Sequence, residues 1–272
     1  MLTNKTITFI GGGNMAQALV NGLLNSGVVP GNIKICEPDV SKQSLLSKQY
    51  GVMVSGEAKD VIPGADVVLL AVKPGVVPLV LAEVGSILSI DSLLISIAAG
   101  VSMATLASGV AAGQPLVRVM PNTPALIGAG ISVLYGAKGI EESKMELARH
   151  VMAAVGDVDE VSDEGLLDGV TALSGSGPAY VYLIAEALSD GGVSCGLPRN
   201  LADKLAVKTL IGAARLLDES GEHAGVLKNQ VTSPGGTTIA AVAQLEKGGV
   251  RGVLMDAVNA AWQRSIELSK PV

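Results

Sequence analysis

Aromatic residues are scarce. One Phe, four Tyr and one Trp make up 2% of the 272 residues. Packing must therefore rely on Ala, Val, Leu and Ile, which suits closely approaching helices. Positive charge is also short, with 19 Lys and Arg against 25 Asp and Glu, a net charge of −6. No basic stripe is present, which excludes a general nucleic-acid binder. The two cysteines, Cys36 and Cys195, lie far apart and form no disulfide framework; they read as reduced thiols of a cytosolic protein. No uninterrupted apolar run approaches the roughly 20 residues that span a bilayer. The opening "MLTNKTITFIGGG" has neither the basic region nor the long apolar segment of a signal peptide. A soluble cytoplasmic protein without membrane contact is expected. Only two histidines occur, His150 and His223, neither in a paired motif, so both are expected to be surface or structural residues. Nothing resembles a zinc or carboxylate cluster, and no metal is expected.

What is present divides into two halves. The length allows one large domain or two ordinary ones, and 49% apolar residues permit a sizeable core. In the first half, short apolar runs alternate with helical patterns. "TITFI", "IKICE", "DVVLLAV", "SLLISIA", "LVRVM" and "ISVLYG" are strand candidates. "NMAQALVNGLLNS", "SKQSLLSKQY" and "ESKMELARHVMAAVG" have helical spacing. The alternation predicts a parallel sheet wrapped by helices. Near residue 163 the strands stop. "PAYVYLIAEALSDGG", "RNLADKLAVKTLIGAARLLDES", "TTIAAVAQLEKGG" and "RGVLMDAVNAAWQRSIELS" carry apolar faces at helical spacing. The expectation is an α/β dinucleotide-binding domain over 1–162 and an all-α domain over 163–272. So much apolar helix surface is more than a small monomer can hide, so a homodimer through the second half is expected.

"FIGGGNMAQAL" places Gly11-x-Gly13-x-x-Ala16 directly after the first strand and at the start of the first helix. In that setting the pattern is a dinucleotide fingerprint. Gly11 permits the tight turn, Gly13 lets the backbone approach a pyrophosphate, and Ala16 lets the helix pack close. Glu37, ending "IKICE", stands where an acidic residue holds the adenine ribose of NAD and repels the extra phosphate of NADP. Lys73, in "AVKPGVV", ends another strand at the same edge.

"NQVTSPGGTTIAAVAQL" sets Thr232, Ser233, Thr237 and Thr238 around Pro234, Gly235 and Gly236 at the mouth of a helix. Such hydroxyls either cap the helix or, with the free amides there, meet a ligand of negative charge. "SGSGPAYVY" offers a second small-residue turn at a helix start, with Pro178 near the first helical position. "GVSCG" matches the G-x-S-x-G of hydrolases in form only. A helix precedes it where a strand is required, and "DGG" reads as that helix's C-cap.

Taken in order, "FIGGGNMAQAL", "LLAVKP", "ISIAAGVS", "VRVMPNTPALIGAG", "LSGSGPAYVY", "DGGVSCGLPR" and "VTSPGGTTIAAV" resemble the pyrroline-5-carboxylate reductase family over nearly the whole chain. The resemblance implies reduction of 1-pyrroline-5-carboxylate to L-proline with NADPH or NADH, on an N-terminal Rossmann-type domain joined to a helical dimerisation domain. It implies interlocked dimers, which in many members assemble five together into a decamer. Cofactor contacts are implied at Ile10, Gly11, Gly12, Gly13, Asn14 and Met15, and at Glu37 and Pro38. Further ones are implied at Ala71, Val72, Lys73 and Pro74, and at Ile97, Ala98 and Ala99. Substrate contacts are implied at Thr237 and Thr238, with Glu164 and Gln230 nearby. The substrate carboxylate then suits the amides of Gly235 and Gly236, and Thr238 is the side chain expected at the reacting nitrogen. Three positions depart from the family's pattern: Glu37, where a neutral residue is common; Ala58, where an Asn often meets the cofactor; and Gln230, where some members carry Asn. Reduction of another cyclic imino acid, or a non-catalytic dinucleotide sensor, are the competing expectations.

Overall fold

A computed structural model describes residues 2–269. In chain order its elements are β1 (Ile7–Ile10), α1 (Asn14–Asn25), β2 (Ile33–Cys36), α2 (Val40–Tyr50), β3 (Met53–Ser55), α3 (Ala58–Val61) and β4 (Val67–Leu70). Then come α4 (Val77–Val84), β5 (Leu93–Ser96), α5 (Met103–Ser108), β6 (Leu116–Met120), β7 (Gly130–Gly136), α6 (Glu142–Met152) and β8 (Gly156–Glu160). The remainder is helical: α7 (Leu166–Val170), α8 (Gly177–Ser194), α9 (Arg199–Ser220), α10 (Ala224–Gln230), α11 (Thr237–Lys247) and α12 (Val250–Ser269).

The strands form one sheet in the order β3-β2-β1-β4-β5-β6-β7-β8. From β3 to β6 every neighbour is parallel, as the mostly apolar runs of β1, β2, β4, β5 and β6 foretell; Val67–Leu70 and Leu93–Ser96 are buried throughout. β7 runs antiparallel to β6, and β8 parallel to β7, which corrects the all-parallel expectation. The reason lies in the connection. Pro121 to Ala129 hold only a short 3-10 turn, Thr123–Ile127, too little chain for a crossover of about a dozen residues. Two edge strands escaped the sequence pattern. β3 has three residues, and β8 is the acidic GDVDE, largely exposed. Helices cover both faces of the sheet over two apolar clusters, one including Phe9, Leu19, Ile35 and Leu93, the other Leu70, Leu81, Leu94 and Leu106.

The chain divides into two compact units. The first reaches Ser176 and includes α12 from Ala261 onward; the second is Gly177–Ala260. That division falls later than the change of pattern near residue 163. α8 and α9 pack closely in the second unit, where Gly192 lets Ala202 approach: a Cβ at Gly192 would lie 3.1 Å from that of Ala202. Asp190, Gly191 and Gly192 therefore lie inside α8, which continues to Ser194, and Gly196, at φ +93°, turns the chain instead of the expected C-cap. Among the described residues of this unit only Ser189, Ala202 and Ala206 are buried. Leu183, Val231, Val253 and Met255 are each more than 60% exposed. The helices have apolar faces but no core of their own. No helix among the described residues is long and apolar enough to cross a membrane.

Candidate active site

The turn after β1 is shaped by three glycines with three different reasons. Gly11 has φ +101°, and a Cβ there would stand 2.8 Å from the Ala71 carbonyl oxygen. Its amide donates to the Cys36 carbonyl at 2.8 Å, tying the turn to the end of β2. A Cβ at Gly12 would meet Leu46 Cδ1 at 2.5 Å. Gly13 is exposed, is the N-cap of α1, and offers no capping side chain; nothing lies closer than 4.0 Å to where its Cβ would be. The first amides of α1 therefore open onto a cradle without a protein partner, where the helix dipole favours an anion. Ala16 is fully buried beneath them. These residues fit a dinucleotide pyrophosphate.

Glu37 is 6% exposed and faces this turn. Its Oε2 accepts the Gly12 amide at 3.0 Å and its Oε1 the Asp39 amide at 3.1 Å, while Gln43 Nε2 donates to its backbone carbonyl at 2.7 Å. Pro38 beside it is exposed. Cys36 is buried, and burial pushes its thiol up to about 11, helped by the carboxylates of Glu83, Glu37, Glu57 and Asp60. It is an inert packing residue at neutral pH. Ala58 is 2% exposed and packs in the same cluster as Cys36, so its methyl faces the core.

The other expected cofactor residues gather at the same edge of the sheet. Ala71 donates to the Ile10 carbonyl at 2.9 Å, and Ile97 to that of Leu70 at 3.2 Å, which aligns the turns after β1, β4 and β5. Ile10 and Ala98 are buried, so they can offer a ligand only backbone; Asn14, Lys73, Pro74 and Ala99 are exposed, and Met15, Val72 and Ile97 partly so. β1 lies between β2 and β4, so this edge includes the point where the strand order reverses.

In the second unit, α11 begins at Thr237 with Gly236 as its N-cap and no side-chain capping bond. The hydroxyl of Thr232 folds back onto the Lys228 carbonyl at 2.6 Å. The Ser233 hydroxyl lies against the N-cap, 2.3 Å from where a Cβ of Gly236 would be, and Gly236 itself offers no capping side chain. Gly235 has φ +68°, and the Gly236 amide turns inward to the Ser233 carbonyl at 3.1 Å. The Gly236 amide is therefore engaged within the turn, and the donors left to a ligand are the Gly235 amide and the first amides of α11. Thr237 and Gln230 are exposed and Thr238 is half-buried.

Glu164 has a different setting from the others. Its Oε1 accepts the Met103 amide at 2.6 Å and pairs with Arg118, which is 8% exposed. An arginine inside the apolar run "LVRVM" was the signal in the sequence that a buried partner had to exist. α8 opens within "SGSGPAY", at Gly177 with Pro178 in its first turn as expected, but the small-residue stretch before it is not a simple turn. Thr171–Gly175 form a π-helical segment between α7 and α8, with Gly175 against Met120, and Asn122 Nδ2 donates to Ser174 at 3.3 Å. His223 accepts the Gly225 amide at 3.0 Å, and His150 bonds the Glu146 carbonyl at 2.7 Å; each histidine serves its local backbone. Ser194 follows no strand, so the hydrolase motif has no nucleophile elbow.

Two family models match the chain: pyrroline-5-carboxylate reductase dimerisation over residues 164–268, and NADP oxidoreductase, coenzyme F420-dependent, over 6–100. A pyrroline-5-carboxylate reductase of Arabidopsis thaliana is 45% identical over 268 residues, spanning 97% of this chain and 95% of its own. The chain belongs to the pyrroline-5-carboxylate reductase family. Among solved structures, a pyrroline-5-carboxylate reductase from Coxiella burnetii is 39% identical with a TM-score of 0.93, covering 98% of this chain and 99% of its own. That of Plasmodium falciparum, solved with NADP bound, is 31% identical with a TM-score of 0.88, covering 98% of this chain and 99% of its own.

Proposed function

We propose that this chain reduces 1-pyrroline-5-carboxylate to L-proline with NADPH or NADH, the last step of proline biosynthesis. The observation that carries the proposal is the start of α11, where the N-cap Gly236 makes no side-chain capping bond beside Thr237 and Thr238, in a member of this family. The substrate is a cyclic imine bearing a carboxylate. The Gly235 amide and the first amides of α11 hold that carboxylate, and the adjacent glycine, Gly236, keeps the turn open to it. Thr237 and Gln230 flank the ring, and Glu164 stabilises the surrounding framework through Arg118 and Met103. The Thr238 hydroxyl donates to the ring nitrogen as the imine accepts electron density.

The cofactor supplies the hydride, so the protein's part is position and electrostatics. Gly11, Gly12 and Gly13 with Asn14 and Met15 seat the pyrophosphate, Glu37 and Pro38 face the adenosine ribose, and Ala71 to Pro74 with Ile97 to Ala99 line the remaining edge. Residues 1–162 form the dinucleotide-binding domain and 163–272 the substrate-binding and dimerisation domain. Dimers form through the exposed apolar helix faces, five dimers assemble into a decamer, and the enzyme works in the cytoplasm. Oxidation of NADPH or NADH on addition of 1-pyrroline-5-carboxylate, with proline as product, tests the reading. Turnover of only the six-membered homologue would transfer the assignment to another cyclic imino acid.

A further inference from the structure

The loop after β5 carries Ile97, Ala98 and Ala99 and then turns at Gly100, at φ +72°. The end of α12 lies against that turn. A Cβ at Gly100 would stand 3.5 Å from both Leu268 Cβ and the Leu268 carbonyl oxygen, so the helix backbone itself is the neighbour. Asp168, four residues after Glu164, holds the helix end in place. Its Oδ1 accepts Ser265 Oγ at 2.6 Å and Ser269 Oγ at 3.3 Å. Ser265 is 5% exposed, and a buried hydroxyl without an acceptor is costly, so this carboxylate selects one seat for the helix. Glu164 meanwhile grips the far end of the same loop through the Met103 amide at 2.6 Å. Ser102 caps α5 there, accepting the Thr105 amide at 3.1 Å. The segment Ile97–Met103 therefore has the end of α12 against its middle, at Gly100, and Glu164 at its Met103 end, and the two carboxylates involved stand four residues apart in sequence.

We propose that Asp168 is a positioning residue for the cofactor: by clasping Ser265 and Ser269 it seats the end of α12 on Gly100, which holds Ile97 to Ala99 in the conformation that receives the dinucleotide. The proposal rests on the reading that Ile97 to Ala99 line the cofactor site. Asp168 itself touches neither cofactor nor substrate in this scheme. It acts through a packed helix end with a single seat, and loosening that seat weakens affinity rather than chemistry.

The test is calorimetric titration of NADPH and NADH into the full-length protein without substrate, alongside steady-state kinetics and thermal melting. Asp168→Ala should raise the cofactor Kd roughly tenfold, while kcat at saturating cofactor and KM for the imine stay within about twofold. Asp168→Asn, which keeps an oxygen acceptor for both serines, should bind cofactor as the wild type does. Ser265→Ala removes the shorter bond from the other side and should raise Kd in the same direction, and it serves if Asp168→Ala does not fold. Gly13→Val is the control for the site itself. If Gly13→Val loses cofactor and the Asp168→Ala or Ser265→Ala protein binds it with unchanged Kd, the positioning role is overturned. If Gly13→Val binds cofactor normally, the site reading fails and the proposal falls with it.

Discussion

The Gly12 amide donates to Glu37 Oε2 at 3.0 Å, across 25 residues of sequence. This bond turns the carboxylate at the end of β2 toward the glycine turn and away from bulk water. On the proposed reading, in which Glu37 faces the adenosine ribose, a 2′-phosphate there would meet that charge at close range. Lys42, five residues on and exposed in the first turn of α2, is a counterweight.

Glu37→Ser should shift the ratio of catalytic efficiencies toward NADPH by about tenfold or more, since a close like-charge contact costs on the order of 1–3 kcal/mol. Parallel kcat/KM determinations with both cofactors check it. An unchanged ratio would mean that Glu37 does not face the ribose.

Two glycines of one stretch should fail in opposite ways. Gly13 has open space where a Cβ would go, so Gly13→Val should melt near the wild-type temperature yet lose cofactor binding. Gly22 lies in the middle of α1, where a Cβ would come within 2.2 Å of the Ala154 carbonyl oxygen. Gly22→Val must push α1 off its neighbour, and overpacking of this kind costs about 1–3 kcal/mol or more. Denaturant melts with and without NADPH separate the two defects.

Thr238→Ala should lower catalytic efficiency with the imine by roughly 10- to 100-fold, because a donor aimed at developing charge is lost. Thr238→Ser should keep most activity, and NADPH affinity should hardly move. Near wild-type turnover by the alanine variant, or a defect mainly in cofactor binding, would remove Thr238 from its proposed place.

Alkylation should distinguish the two cysteines. Burial and the nearby carboxylates keep Cys36 protonated, with its thiol pushed up to about 11, whereas Cys195 is exposed. Iodoacetamide at about pH 8 should label the native protein once, at Cys195, by peptide mass mapping. The sign for stability follows from the raised value. The stability that this thiol contributes is full below its unfolded value near 9, and it is lost as pH rises through about 11. Labelling of Cys36 in the native protein would contradict its closed setting.

The helical unit should not persist as a monomer. Light scattering at micromolar concentration should give at least a dimer, because Leu183, Val231, Val253 and Met255 are left uncovered within one chain. A stable monomer would sink this. Leu183→Asp places a charge on such a face and should shift the mass downward.

Much of this protein was legible in one dimension because the signals are local. Gly11-x-Gly13-x-x-Ala16 after an apolar strand defines a turn through the conformations of neighbouring residues, and the buried parallel strands announce themselves as unbroken apolar runs. The long helices of the second half follow from apolar spacing, and the hydroxyls at the start of α11 stand within a few residues of each other. β3 and β8 were not legible: an edge strand need not bury either face, so three residues or an acidic GDVDE carry no periodic signal. The partners of the charged groups were hidden for another reason. Glu37 meets Gly12 across 25 residues, Glu164 meets Arg118 across 46, and Asp168 meets Ser265 across 97. Nothing in local propensity selects those pairs. They form because packing brings the elements together and a buried polar group must then take the partner it is given.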